Sequence, residues 1–284
     1  MKIVQTVEAL KALIRQAKRE GKTVGFVPTM GYLHEGHLTL MRQAKAEQDV
    51  VVASIFVNPL QFGPTEDFAV YPRDLERDSL LAESAGVDLL FTPSVEEMYP
   101  SGHASMLTSV EVSEITTGLC GASRPGHFRG VTTVVNKLFN IVEPDRAYFG
   151  QKDAQQVAVI KQMVKDLNMN VTVVAVPIVR ETDGLALSSR NVFLSQTERQ
   201  AALVLSRSLR LANEMLAGGC RQAGELRKAI AEMIEKEPLA HIDYIAITDA
   251  ETLKEAEVIT KPVLVALAVR IGKTRLIDNM VWEG

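Results

Sequence analysis

The chain has 284 residues, which at about 150 residues per domain suggests two compact units or one large α/β domain. Hydrophobic residues make up 46% and charged residues 23%, so a disordered or collagen-like chain is excluded. The 31 basic and 35 acidic residues leave a formal net charge of −4, too balanced for a general nucleic-acid-binding protein. A bound polyanion would therefore have to be held by a local cluster of donors.

The cysteines and the amino terminus indicate the compartment. Cys120 and Cys220 lie far apart and match no zinc-ligand or disulfide-framework spacing. The first residues lack the basic segment and apolar stretch of a signal peptide. The longest nearly continuous apolar run, residues 50–57, is far shorter than the roughly 20 residues of a membrane helix. We expect a cytosolic protein with reduced thiols and with neither a membrane nor a nucleic acid as partner.

The first part of the chain alternates between helical and strand patterns. Strand patterns occur at residues 23–27, 49–57, 87–91 and 171–176, and the first of them is expected to stop at Pro28. Helical patterns occur at residues 7–20, 36–44, 75–85, 131–139 and 154–167. Because buried strands that alternate with helices are typical of a doubly wound parallel sheet, we predict a Rossmann-like α/β domain over residues 1–179.

The pattern changes after about residue 180. Ser195 and Glu198 have the spacing of a capping box, which predicts the start of a helix that ends at Gly218. A second helix is predicted at residues 223–235. The short strand patterns that follow suit a small antiparallel sheet and lie at residues 241–247, 263–271 and 274–277. We predict a smaller C-terminal α+β domain over residues 180–284, acting as a lid hinged near residues 179–183.

The tetrapeptide from His34 to His37 lies where the first strand gives way to a helix. Side chains three residues apart share one helix face, so both imidazoles are expected to reach one ligand. Gly36 allows a bulky group to approach the backbone, and the N–H groups of a helix start attract anions. A zinc protease motif would need one more residue between the histidines. We interpret the pair as an anion site rather than as ordinary core or surface histidines.

Other polar residues follow the predicted strands, and ligands of open α/β sheets bind at the carboxyl ends of strands. In isolation Lys152-Asp153 and Ser188-Ser189-Arg190 are typical of solvated surface segments. Beside the histidines they would offer a cation, a ribose acceptor, two hydroxyls and a guanidinium for a phosphate chain.

Two amides and one basic segment complete the candidates. Gln61 and Gln156 are suited to a neutral contact with a hydroxy acid, although each in isolation is more often a surface amide. We interpret residues 124–130 as a mobile basic loop and give His127 no catalytic role. Asp78 is considered only as a neighbour of a metal ion.

Several nucleotide-binding and catalytic motifs are absent from the sequence. It contains no G-x-x-x-x-G-K-[ST], no G-x-G-x-x-G and no G-x-S-x-G. Any nucleotide must therefore be bound through the two-histidine segment.

These residues resemble those of the HxGH nucleotidyltransferase superfamily, relatives of class I aminoacyl-tRNA synthetases, and more narrowly those of the pantoate–β-alanine ligase family. The similarity extends through almost the whole chain, in residues 28–37, 54–62, 71–73, 124–131, 149–156 and 183–191. It implies a cytosolic homodimer that joins (R)-pantoate to β-alanine through a pantoyl adenylate. ATP is converted to AMP and pyrophosphate with Mg²⁺, in the synthesis of a coenzyme A precursor.

The resemblance also implies roles for individual residues. His34, His37 and Lys152 would be catalytic, and Gln61 and Gln156 would hold pantoate, with Gln61 also near β-alanine. The ATP site would be lined by Met30, Gly31, Tyr32, Leu33, His34, Glu35, Gly36, His37, Gly150, Gln151, Lys152, Asp153, Val179, Leu187, Ser188, Ser189 and Arg190. The chain departs from the family pattern at Gln151, where many relatives have Glu, and at Leu187, where Met is frequent.

Two alternatives stay open from the sequence. A transferase that places CMP or AMP on a phosphorylated substrate would need cationic residues for the acceptor phosphate. A nucleotide-sensing module would bind ATP without exchanging pyrophosphate, and would have no use for Gln61 and Gln156.

Overall fold

The structure is a computed structural model that describes residues 1–63, 66 and 68–284. The chain forms two compact units. Unit 1 comprises Met1–Gln151 and Val159–Pro177, and unit 2 comprises Lys152–Ala158 and Ile178–Gly284. Because contact-defined units do not test independent folding, the division into domains at residues 179 and 180 stays a prediction.

A parallel sheet forms the centre of unit 1. Among the described residues its strands are β1 (Lys2–Val4), β2 (Val24–Thr29), β3 (Val50–Ile55), β4 (Leu89–Phe91), β5 (Arg146–Gly150) and β6 (Thr172–Val176). They lie in the order β1-β4-β3-β2-β5-β6, and every pair is parallel. The predicted doubly wound α/β fold is confirmed. The short edge strand β1 was not predicted, since three residues are too few for a periodic pattern. The buried strand β5 was not predicted either.

Helices connect these strands. Their bounds are α1 (Val7–Arg19), α2 (Glu35–Glu47), α3 (Leu75–Ser84), α4 (Val95–Met98), α5 (Leu119–Ser123), α6 (His127–Val142) and α7 (Ala154–Asp166), which has residues in both units. Short 3-10 turns lie at Pro59–Gln61, His103–Ser105 and Gln151–Asp153. The helix predicted at residues 7–20 is confirmed by α1, in which Leu10, Ile14 and Ala17 are buried on one face.

The strand order determines where a ligand of this sheet would bind. Strands β3 and β5 flank β2 in the sheet. From β2 the chain continues to β3 on one flank, and it later returns to β5 on the other flank. The strand order therefore reverses between β2 and β5, and α/β sheets bind ligands beyond the carboxyl ends at such a point. The residues that follow Thr29 and Gly150 are consequently the candidates for a ligand site.

The prediction that β2 stops at Pro28 is wrong. The strand continues to Thr29, and Pro28 pairs with Ser54 of β3. The backbone of β2 alternates between its neighbours, so the proline nitrogen points toward β5. The pairing between β2 and β5 covers only Gly25 and Phe26. A proline is tolerated there because no partner requires its missing N–H group.

The carboxy-terminal part of unit 2 packs two helices on an antiparallel sheet. Helices α8 (Gln196–Ala217) and α9 (Ala223–Ile234) cover strands β7 (Ala240–Asp249), β8 (Val263–Ile271) and β9 (Thr274–Trp282), which lie in that order. A 3-10 turn at Ser189–Phe193 precedes α8. The predicted capping box at Ser195 is confirmed, and so is the α+β architecture. None of the described helices is both long and apolar enough to cross a membrane.

Helix α6 begins at His127 rather than at residue 131, and its contact with the turn at Pro59–Gln61 depends on Gly130. A Cβ atom on Gly130 would lie 2.2 Å from the carbonyl oxygen of Leu60 and 2.7 Å from the nitrogen of Gln61. Only a glycine allows this approach of helix and turn. Gly130 therefore determines how close the backbone of Gln61 lies to α6.

We expect Gly130→Ala to lower the free energy of unfolding by about 1–3 kcal/mol, because an added methyl group must push the two backbones apart. Urea unfolding measures the change. Gly224→Ala is the matched control, since Gly224 lies in α9 with nothing within 4 Å of its would-be Cβ. The control is expected to be neutral or to gain up to about 1 kcal/mol from helix propensity. Equal stability of the two variants would contradict the steric account.

Candidate active site

A tight turn follows β2 and begins the candidate site. Gly31 and Tyr32 both have left-handed backbone conformations, with φ of 83° and 50°. A Cβ on Gly31 would lie 2.9 Å from Cγ2 of Ile55 and 3.0 Å from Oδ2 of Asp78. Position 31 therefore requires glycine for two reasons, its backbone angles and the close approach of its neighbours. The turn brings the chain from β2 to the start of α2.

The buried carboxylate of Asp78 holds this turn. Its oxygens accept hydrogen bonds from the backbone N–H groups of Tyr32 at 2.6 Å and Leu33 at 2.7 Å. Burial raises the pKa of Asp78, while the two N–H donors act in the opposite direction. The neighbouring Arg77 donates to the carbonyl oxygen of Leu33 at 2.9 Å. Two adjacent residues of α3 thus bind both the donors and an acceptor of the turn.

His34 and His37 lie at the amino-terminal end of α2. His34 is the N-cap residue, and its backbone N–H donates to Nδ1 of His37 at 3.3 Å. This contact resembles one half of a capping box, with an imidazole in place of a carboxylate. The ring centroids lie 4.0 Å apart. The structure brings the two rings together beside backbone N–H groups that lack helical partners, which is an arrangement that attracts anions.

The remaining side chains of this segment have structural contacts. Leu33 is fully buried in the core of unit 1. Tyr32 lies beneath the guanidinium of Arg77, 5.1 Å from ring centroid to Cζ. Glu35 forms an ion pair with Arg42 along α2, so its negative charge is partly neutralised. Leu33 can therefore contact a ligand mainly through its backbone.

A buried amide network orients Gln61. Oδ1 of Asn58 accepts hydrogen bonds from the Tyr99 hydroxyl at 2.7 Å and from the Leu60 N–H at 3.3 Å. The amide nitrogen of Asn58 therefore faces Oε1 of Gln61, to which it donates at 3.1 Å. The amide nitrogen of Gln61 is directed at Sδ of Met30, 3.2 Å away. Burial raises the pKa of Tyr99, which keeps its hydroxyl a donor at neutral pH.

The segment at residues 124–130, interpreted above as a mobile loop, is held by specific contacts. Arg124 forms a two-pronged ion pair with Glu66, at 2.6 and 2.7 Å, and it lowers the pKa of that carboxyl. Arg124 also donates to the carbonyl oxygen of Gln61, and a ring nitrogen of His127 lies 2.8 Å from the same oxygen. The loop interpretation is wrong for residues 127–130, because they form the first turn of α6.

Unit 2 holds the other candidate residues. Lys152 and Asp153 lie in the turn before α7, where Asp153 is exposed, and Gln156 lies in the first turn of α7. Val179 accepts a hydrogen bond from the N–H of Leu187 at 3.0 Å. Ser188 caps the turn at Ser189–Phe193, its hydroxyl accepting from the N–H of Arg190 at 3.2 Å. Backbone and side-chain hydrogen bonds therefore hold the segment that contains Ser188 and Ser189.

The candidates thus form one group in each unit. Unit 1 holds Met30, Gly31, Tyr32, Leu33, His34, Glu35, Gly36, His37, Gln61, Gly150 and Gln151, and unit 2 holds Lys152, Asp153, Gln156, Val179, Leu187, Ser188, Ser189 and Arg190. Sequence reasoning gave no role to Asn58 and did not foresee that Asp78 holds the turn. The signal for Asp78 was an acidic residue on the buried face of α3, four residues before Ala82.

Comparison with known proteins identifies the family. The pantoate-beta-alanine ligase family matches residues 2–281 of the chain. The chain belongs to the pantoate–β-alanine ligase family. It is 65% identical to the pantothenate synthetase of Heliobacterium modesticaldum and 60% identical to that of Acetivibrio thermocellus, over the full length of each chain. The predicted resemblance is confirmed, and the chain is an enzyme of this family.

Solved structures of the family have the same fold. Pantothenate synthetase from Thermus thermophilus superposes with a TM-score of 0.93 at 50% identity, covering 99% of both chains. The pantoate–β-alanine ligase of Francisella tularensis, complexed with beta-gamma ATP and β-alanine, superposes with a TM-score of 0.80 at 38% identity, covering 99% of this chain and 97% of that one. The fold of pantoate–β-alanine ligases therefore extends across the whole chain.

Asp78→Asn is expected to reduce ligase activity by about 10- to 100-fold, because a small displacement of a site can have that effect. An asparagine accepts with one oxygen only, so one N–H of the turn loses its partner. Steady-state kinetics measure the loss. Asp49→Asn is the control, since its carboxylate also accepts a backbone N–H, that of Thr23, at the opposite ends of the strands. Wild-type activity of Asp78→Asn would show that the turn needs no such anchor.

Proposed function

We propose that the chain condenses (R)-pantoate with β-alanine to give pantothenate, with conversion of ATP to AMP and pyrophosphate. The observation that carries the proposal is the pair of imidazoles at the start of α2, beyond the carboxyl end of β2. Membership of the family and a relative complexed with beta-gamma ATP and β-alanine support ATP as the co-substrate.

In the first step a carboxylate oxygen of pantoate attacks the α-phosphorus of ATP. The bond from this phosphorus to the bridging oxygen breaks, which releases pyrophosphate and leaves pantoyl adenylate. Because both reactants are anions, charge repulsion and alignment are the main obstacles. Donors placed where negative charge develops reduce the repulsion and hold the two reactants in line. We assign this role to His34, His37 and the N–H groups at the start of α2.

The hydrogen bond to Nδ1 of His37 determines which ring nitrogen carries its hydrogen. Nδ1 accepts from the backbone N–H of His34, so the hydrogen of a neutral ring lies on Nε2. His37 then presents an N–H donor from Nε2. We assign this donor to the bridging oxygen that leaves with pyrophosphate. His34 is assigned to a non-bridging phosphate oxygen.

The remaining ATP contacts are assigned by the chemistry of the side chains. Lys152, Ser188, Ser189 and Arg190 supply cations and hydroxyl donors for the β- and γ-phosphates. Contacts with the nucleoside, and contacts of the protein backbone with the phosphates, are assigned to Met30, Gly31, Tyr32, Leu33, Glu35, Gly36, Gly150, Gln151, Asp153, Val179 and Leu187.

We assign pantoate binding to Gln61 and Gln156. The Asn58 network fixes the amide nitrogen of Gln61 as a donor that faces Sδ of Met30, which is a weak acceptor. A carboxylate or hydroxyl oxygen would be a stronger acceptor for the same N–H group. The orientation of Gln61 therefore favours an oxygen-rich acid as the substrate, and its neutral charge favours a substrate without a phosphate.

In the second step the amine of β-alanine attacks the carbonyl carbon of the adenylate. The carbon–oxygen bond to AMP breaks, and the attacking amine loses a proton. Because the mixed anhydride is already activated, exclusion of water matters more than acid catalysis. We retain closure of the C-terminal domain over this intermediate as a prediction.

Mg²⁺ is proposed to arrive bound to ATP. The described residues contain no group of three or more His, Cys, Asp or Glu side chains suited to a metal ion. Mg²⁺ commonly binds substrate phosphates and keeps several waters, so it needs few protein ligands.

The homodimer and the cytosolic location stay predictions from the resemblance and the sequence. Light scattering tests whether the chain is a homodimer.

Isotope exchange between pyrophosphate and ATP tests the proposed function. We expect exchange that requires pantoate, followed by pantothenate and AMP in the mass spectrum once β-alanine is added. Exchange with a phosphorylated acceptor instead would indicate a nucleotidyltransferase. Binding of ATP without any exchange would indicate a nucleotide-sensing module.

His37→Ala is expected to retain the fold and to slow pyrophosphate release by about 10²- to 10³-fold, the usual effect of removing one charge-stabilising donor. Single-turnover measurements with ATP and pantoate follow this step. His103→Ala is the control, because His103 is an exposed histidine in a 3-10 turn of the same unit. A near-wild-type rate for His37→Ala would remove the residue from the mechanism.

Gln61→Ala is expected to raise the KM for pantoate at least about tenfold, the effect of roughly 1.4 kcal/mol, while the KM for ATP changes little. The change removes one oriented donor from the acid and leaves the phosphate contacts in place. Gln43→Ala serves as the control, since Gln43 donates to Glu47 on the exposed face of α2. An unchanged pantoate dependence would exclude Gln61 from the acid pocket.

A further inference from the structure

Strand β9 contains an acidic residue where its pattern requires an apolar one. Alternate residues of a strand share a face, and Leu276 and Met280 pack into the helix-covered core of unit 2. Asp278 lies between them on that face, opposite Leu267 of β8, and is only 3% exposed. A buried carboxylate is costly unless it is paired. Such a residue at an interior position therefore requires an explanation.

Asp278 is paired with an arginine from a segment that leads to a candidate phosphate-binding turn. Its oxygens accept hydrogen bonds from both terminal nitrogens of Arg180, at 2.7 and 2.8 Å. Arg180 also donates to the carbonyl oxygen of Gly184 at 3.1 Å. The hydrogen bond from Leu187 to Val179 closes this segment just before Ser188. The turn at Ser189–Phe193 itself lies against β9.

The next residue of β9 holds the other candidate phosphate-binding segment of unit 2. The side-chain amide of Asn279 donates to the backbone carbonyl oxygen of Lys152 at 2.9 Å. Asn279 is also 3% exposed. Its own backbone N–H donates to Oδ1 of Asp278 at 2.8 Å, so the carboxylate of Asp278 is linked to the backbone of Asn279. Adjacent residues of one strand thus hold Lys152 and the segment that leads to Ser188.

We propose that Asp278 and Asn279 are positioning residues for ATP binding, which fix the spacing of Lys152 from Ser188, Ser189 and Arg190. The inference rests on the proposed function of those four residues. A triphosphate binds well only when its cations and hydroxyls are held at matching distances before it arrives. Strand β9 supplies that rigidity, because it pairs with β8 from Thr274 to Trp282 and packs against α8.

A purely structural role and a positioning role differ in their consequences. Replacing a buried ion pair by apolar residues is often neutral or stabilising. Arg180→Met combined with Asp278→Leu should therefore keep the thermal midpoint near that of the native chain. If the pair positions the phosphate-binding turn, the same double variant binds Mg·ATP at least tenfold more weakly. Arg275→Met with Asp243→Leu is the matched control, since it removes another ion pair of β9.

Asn279→Asp provides an independent variant of nearly the same shape. It exchanges the donating amide for an oxygen that repels the Lys152 carbonyl, and we expect at least a tenfold weaker Mg·ATP affinity. The KM for pantoate should change less than twofold. Asn140→Asp is the control, because Asn140 likewise donates to a backbone carbonyl, that of Asn136, on the exposed side of α6.

A double-mutant cycle tests whether Asn279 affects Mg·ATP affinity through Lys152. If Asn279 acts through Lys152, Asn279→Ala adds less than a further twofold loss of Mg·ATP affinity in a Lys152→Ala background. Independent losses that multiply would overturn the proposal. So would native ATP affinity in stably folded Asn279→Asp and Arg180→Met/Asp278→Leu variants, or failure of both variants to fold, which would assign the residues to stability alone.

Calorimetric titration with Mg·ATP separates this proposal from the proposed function, since it needs no turnover. A native chain that binds ATP but shows no pantoate-dependent exchange contradicts the ligase function and leaves the positioning test intact. A native chain that makes pantothenate, with variants that bind ATP normally, contradicts the positioning role alone.

Discussion

The candidate site depends on one buried carboxylate. Asp78 accepts the N–H groups of Tyr32 and Leu33, and so holds a turn whose left-handed residues would otherwise be free to adopt several conformations. The turn determines where α2 begins, and the start of α2 determines where both imidazoles lie. An unpaired backbone donor in such a place would be costly, so the turn has few alternatives. The chemistry proposed at the histidines therefore depends on a residue that lies outside their sequence motif.

The two substrates of the proposed first step, ATP and pantoate, require different electrostatic environments. Phosphates need cations and N–H donors, which the start of α2 and the side chains of Lys152 and Arg190 can supply. The proposed acid pocket contains instead the neutral amides of Asn58 and Gln61, whose orientation follows from the buried hydroxyl of Tyr99. A fixed neutral donor binds an oxygen of the acid. It adds no positive charge that would compete with the phosphate-binding residues for ATP. This division explains how a chain of net charge −4 could bind two anionic substrates.

Local patterns predicted much of the fold, and tertiary contacts explain the rest. Strands β2, β3, β4 and β6, helix α1 and the capping box at Ser195 follow from residues close in sequence, and each is confirmed. Strand β5 was missed. The extension of β2 through Pro28 depends on which neighbour its nitrogen faces, which no single strand reveals. The anchors Asp78 and Gly130 act on segments distant in sequence, so their roles emerge only when the helices pack. The histidine motif was visible from the sequence, but the groups that hold it were not.

The most direct test of the central claim uses the imidazole signals of the chain itself. It has five histidines, so nitrogen NMR of the rings, assigned by single His→Gln substitutions, contains internal references. On titration with a non-hydrolysable Mg·ATP analogue, the account predicts that the ring signals of His34 and His37 shift together with one affinity. Those of His103 and His241 should stay in place. Saturating nucleotide that leaves the signals of His34 and His37 unchanged would contradict the account.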